Sequence, residues 1–89
     1  MIELIPYEES LKDSILSGEK IMLFLSFPTE QLPNMARVRI EKLTEAEKKL
    51  YEGKTIYIQS WREVSFEGVN KFLVVKNASL YLVRIFDET

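Results

Sequence analysis

The sequence predicts an α/β domain: a central mixed sheet of four to five strands, two main helices, a C-terminal β-hairpin and no C-terminal helix. Three observations predict it. Apolar runs too short for a helix alternate with stretches of helical periodicity. Gly18 and Gly53 each follow a helical stretch and precede an apolar run. Residues 72–86 hold two extended runs about a short polar turn, and no helical pattern follows them.

Each element has its own warrant. Ile2 to Ile5 reads as a short first strand. Pro6 suits the first turn of a helix, with Glu8 and Glu9 near the positive end of its dipole. Leu11 and Ile15 share a face and Gly18 fits the position just past a helix, so a helix is expected over 7–17. Lys20 to Phe27 (KIMLFLSF) is apolar on both faces, the pattern of a central strand covered on each side. Pro28 to Pro33 (PTEQLP) reads as a loop or a helix entry.

Residues 34–52 carry two patterns. As one helix, Ala36, Ile40, Leu43, Ala46 and Leu50 form a stripe, with Arg37, Glu41, Lys42, Glu45 and Lys49 outside it. As a strand and a shorter helix, Arg37-Val38-Arg39-Ile40-Glu41 alternates, and Thr44 with Glu47 spells a capping box. The helix propensities of Met, Ala, Arg, Glu, Lys and Leu favour the single helix. Beyond Gly53, Thr55 to Ser60 alternates as a strand and Trp61 to Gly68 is irregular, with Val64 and Phe66 as anchors. Phe72 to Val75 and Leu80 to Phe86 form the hairpin, turning at Lys76-Asn77-Ala78-Ser79. LSGEKIMLFLSF (16–27) and YEGKTIYIQSW (51–61) share the order helix end, glycine, strand. Such joints are common; a duplicated βαβ unit, which would build a ferredoxin-like sheet, is the sharper reading.

The composition excludes several chemistries. The chain has 89 residues, enough for one domain, and is 46% hydrophobic and 29% charged, as globular proteins are. It has no cysteine and no histidine, which removes thiol nucleophiles, imidazole bases, disulfides and the usual zinc ligands. Three scattered glycines cannot make a phosphate loop, and no acidic run has metal-loop spacing, so no cofactor or metal is expected. No apolar run approaches the ~20 residues that span a bilayer, and Met-Ile-Glu-Leu is no basic leader; a cytoplasmic protein without membrane contact is expected. Twelve glutamates against two aspartates, with few amides, is a balance that thermophile proteins share.

The order of elements, strand, helix, central strand, helix, strand, hairpin, resembles a thioredoxin-like fold. SLKDSILSGEKIMLF (10–24) resembles a thioredoxin's first helix and central strand, and MARVRIEKL (35–43) the stretch after its CxxC. GKTIYI (53–58) resembles the third strand, and GVNKFLVVKN (68–77) the segment that carries the family's cis-proline. The resemblance implies a minimal thioredoxin-like domain. Its functional positions are replaced: the cysteines by Glu30 and Pro33, the cis-proline by Asn70, the buried acid by Phe24 and the turn glycine by Ala78. Dithiol exchange needs a thiolate, so no redox role follows and no enzyme is expected.

Candidate sites follow from this reading. Glu30 can be an acid or base, or simply a favourable charge at a helix start; nothing beside it supplies a nucleophile. Phe27, Glu30, Leu32, Pro33, Trp61, Phe66 and Asn70 would rim a peptide groove, or fill the core. Leu80, Leu82 and Phe86 share one face of the last strand and would be left exposed for a homodimer or another protein. Arg37, Arg39, Lys42, Lys48, Lys49 and Lys54 gather around the second helix, but Glu41, Glu45, Glu47 and Glu52 are interleaved and the net charge is −2. That argues against nucleic acid.

The resulting expectation is a redox-inactive protein-binding or assembly module. The alternative is an RNA-binding module, because RVRIEKLTEAEKKLYEGKTIYIQ (37–59) is similar to the strand, short helix, glycine, strand run of PUA domains. That alternative needs residues 36–43 extended.

Overall fold

The computed structural model describes residues 3–32 and 37–86. Along the chain they form β1 (Glu3–Ile5), α1 (Ser10–Leu16), β2 (Ile21–Phe24), β3 (Arg37–Lys42), α2 (Glu45–Tyr51), β4 (Thr55–Ile58), β5 (Lys71–Lys76) and β6 (Ser79–Phe86). Short 3₁₀ turns lie at Thr29–Gln31 and Trp61–Glu63. The fold is α/β with a mixed sheet and a C-terminal strand pair, and among the described residues no helix follows it.

The sheet has six strands in the order β1-β4-β2-β5-β6-β3. The first four are mutually parallel, and β6 runs antiparallel to both β5 and β3. The sixth strand is the correction to the sequence-based expectation. Residues 37–42 are not part of one long helix: they pair with β6 along their whole length, Arg37 opposite Phe86 through Lys42 opposite Tyr81. Helix propensity is a weak preference that tertiary pairing overrides. The eight-residue β6 needs a partner on its outer side, and β3 satisfies its backbone. The capping box then starts a new helix. Thr44 is extended (ψ 165°), its hydroxyl accepts from Glu47 N at 3.2 Å, and the Glu47 carboxylate accepts from Thr44 N at 3.1 Å.

Strand alternation divides the core into two layers. On one face Met22, Phe24, Ile56, Ile58, Phe72, Val74, Val83 and Ile85 meet Val64, Phe66 and Val69 from the 59–70 segment. Leu11 and Ile15 of α1 close this layer. Phe72 is fully buried, its ring 5.5 Å from Phe24, 5.6 Å from Phe66 and 6.0 Å from Phe27. On the other face Ile21, Leu23, Leu73 and Leu82 lie beneath Leu43 and Tyr51. β2 is buried at all four positions, as a strand covered on both faces must be.

The β5–β6 turn places Asn77 (φ 51°) and Ala78 (φ 62°) both in the left-handed region. Two positive φ values in a two-residue loop make the type I′ turn, whose twist matches the strands it joins. Asparagine tolerates this geometry; alanine does so at a steric cost.

Candidate functional site

The open end of the second face gathers several cations. Strand register puts Lys71 opposite Arg84, and Arg84 opposite Arg39. Side chains of directly paired residues share a face, so three cations stand in a row across β5, β6 and β3. The Ile85 amide donates to Asn70 O at 2.7 Å and the Leu43 amide to Leu80 O at 2.9 Å. Backbone groups alternate sides along a strand, so Lys71 and Arg84 form a non-hydrogen-bonded pair, the closer kind, with Cα atoms about 4.5 Å apart. Like charges directly opposite are destabilising. The fold accepts that cost here; all three residues are exposed, and among the described residues Arg39 alone of them has a carboxylate near it, Glu41 at 3.8 Å.

The row borders a groove of about 680 Å³ at the N-terminal ends of β2 and β5, between the C-terminal ends of α1 and α2. Lys20 and Lys54 join Lys71 and Arg84 in its walls, and no carboxylate lines it. Among the described residues no acid lies within ion-pair distance of these four cations. The apolar part of the lining includes Leu50, Tyr51, Ile85 and Phe86. Phe86 is 40% exposed, with the Arg39 guanidinium 5.8 Å from its ring centre. Arg39 is thus held on the sheet side by an aromatic face. A groove lined by four cations and an exposed ring can hold a phosphate-bearing chain and stack a base.

The sequence-predicted rim residues do not form one open groove. Phe27, Leu32 and Trp61 are half-buried against the first core layer, and Phe66 is buried within it. Gln31 fastens the two 3₁₀ turns by donating to Arg62 O at 3.2 Å. Glu30 is exposed on the first of these turns. Asn70 is away from them, in the lining of the cationic groove. Pro33 lies outside the described residues. Of the face expected to be exposed on β6, Leu82 is buried and Leu80 half-buried beneath the second layer; only Phe86 is open. Leu43, brought over the sheet by the β3–α2 junction, supplies part of that cover.

Lys20, Lys71 and Arg84 were not singled out by the sequence reading. The available signal was the alternation of Arg37 and Arg39. Read as a strand, it would have sent them to a sheet and invited a search for cations on its neighbours.

What the fold and groove define is a small α/β sheet domain with an open cationic end. No family model, no curated protein and no solved structure matches the chain, so nothing identifies a thioredoxin-like family. No group of three or more metal-ligating side chains gathers among the described residues, and none of their helices is long and apolar enough to cross a membrane.

Proposed function

We propose that the chain is a nucleic-acid-binding module that holds a single strand in the cationic groove. The observation that carries this reading is the Lys71–Arg84–Arg39 row, like charges set directly opposite each other beside the exposed Phe86 ring. Phosphates would neutralise the row and offset its repulsion, and a base would stack on Phe86 or on the Arg39 guanidinium. The overall charge of −2 does not oppose this. Steering depends on how charge is distributed, and the groove walls carry one sign. The extended β3 also meets the condition that the RNA-binding alternative set.

Fluorescence anisotropy with labelled oligo-U and oligo-dT of about 12 nucleotides tests the reading. Affinity should fall with salt, the logarithmic slope being about −2 to −3 for three or four phosphate contacts on a single strand. Arg84→Glu should weaken binding at low salt by roughly tenfold or more, since it reverses a charge in the middle of the row. Lys48→Glu, outside the groove lining and paired with Glu45 at 2.9 Å, should leave it nearly unchanged. No binding at about 20 mM salt, or equal effects of the two variants, sinks the proposal.

A second reading, a protein-binding module, is favoured by one observation. Leu25 (63% exposed), Phe27, Ile40 and Tyr81 line an apolar cleft of about 530 Å³ at the β5–β6 hairpin. Leu25→Glu separates the readings, because it alters this cleft and leaves oligonucleotide binding intact.

A further inference from the structure

We infer that β3 pairs along its outer edge with β3 of a second copy, antiparallel about Ile40, joining two sheets into one. β3 is six residues long and ends the sheet, whereas β1 at the opposite edge has three residues, the short kind that resists edge pairing. The Leu43 amide is directed at β6, so the backbone groups of Glu41, Arg39 and Arg37 turn the same way, and those of Lys42, Ile40 and Val38 turn outward. Among the described residues no strand lies on that outer side. Val38 and Ile40 are 39% and 50% exposed beside it.

Electrostatics then selects the register. With the two-fold axis at Ile40, Ile40 faces Ile40, Val38 faces Lys42, and Arg39 of each copy faces Glu41 of the other. Moving the axis to Arg39 sets Arg39 against itself, and moving it to Glu41 sets Glu41 against itself. Like charges so placed are destabilising. Arg39 and Glu41 occupy non-hydrogen-bonded pairs in the favoured register, where side chains approach most closely. Within one chain they already stand 3.8 Å apart with heads 63% and 43% exposed. The second copy closes these two into a ring of four alternating charges. The paired edges exchange about six backbone hydrogen bonds, and a two-fold axis normal to the sheet keeps both cationic rows on the same face.

Sedimentation velocity on the full chain at concentrations up to roughly 100 μM tests this, with circular dichroism to check folding. The wild-type chain should form a dimer. R39E and E41R should each weaken it by about tenfold or more, because two attractive pairs become repulsive. The double variant R39E/E41R restores the pairs with sign exchanged and should recover the dimer to within about threefold. Hydrogen exchange should show the Ile40 amide protected in the dimer and open on dilution. A wild-type monomer at the highest concentration, an open polymer, unchanged association of the single variants, or a folded double variant that is not rescued each overturns the inference.

Discussion

The two faces of the sheet solve the same covering problem differently. The first face is closed by α1 and the 59–70 segment, and its middle is a cluster in which Phe24, Phe27 and Phe66 each pack against Phe72. The second is closed only in part, by Leu43 and Tyr51, and beyond them β5 and β6 present Lys71 and Arg84 to the groove. A face buried across β2, β4, β5 and most of β6 tells a sequence reader about folding. A face left half open, with like charges opposite each other at its margin, is where the fold carries a cost that its own packing does not explain.

Three substitutions break or sharpen this contrast. Phe72→Ala removes the centre of the closed face and should cost about 3–5 kcal/mol in urea or thermal unfolding, a large share of what so small a domain has. A loss below about 1 kcal/mol would mean that the layer is loosely packed. Thr44→Ala deletes the cap of the helix that covers the second face. It should cost about 1 kcal/mol, and helicity lost over 45–51 would report it. Tyr7→Phe acts on a defect of the closed face. The Tyr7 hydroxyl is buried with no hydrogen-bond partner among the described residues, and burial, with a smaller contribution from Glu9, raises its pKa above the usual 10.0. A gain of about 0.5 kcal/mol is expected from removing it. Because the folded-state pKa is raised, this tyrosine's contribution is complete below pH ~10 and is lost as pH rises through the folded value. The wild-type protein should therefore lose stability above pH ~10 more steeply than the phenylalanine variant. Superimposable alkaline limbs would show that the hydroxyl is solvated.

The closed face was largely legible in the sequence. KIMLFLSF reads as a doubly covered strand because both of its side-chain rows are apolar, and β2 is buried at every position. Gly18 (φ 85°) and Gly53 (φ 82°) mark the helix-to-strand joints in the left-handed conformation that glycine adopts freely. The helix expected over 7–17 is shorter, Ser10–Leu16, since helix ends are the least determined by pattern. The open face was not legible, for one reason. Arg37 to Lys42 has the residues of a helix and the alternation of a strand, and the deciding factor lies far downstream, in the unsatisfied outer side of β6. Assigning Arg39 to a helix hid its alignment with Arg84 and Lys71, and with it the groove. Charge counted along the chain looks balanced by Glu41 and Glu45; among the described residues of the fold Glu41 meets Arg39 alone, and no acid lines the groove that holds Lys71 and Arg84.

The Asn77–Ala78 turn carries a consequence at the far end of its hairpin, about 17 Å away along β5. A two-residue loop leaves no slack, so it dictates which rung of β6 meets which rung of β5. Slipping that ladder by one residue would drive the Arg84 guanidinium in among the phenylalanine rings and turn Val83 and Ile85 out to water. The tip of the hairpin thus acts as the gauge for the distant groove, and residues that never touch a ligand decide whether the cations line up at all.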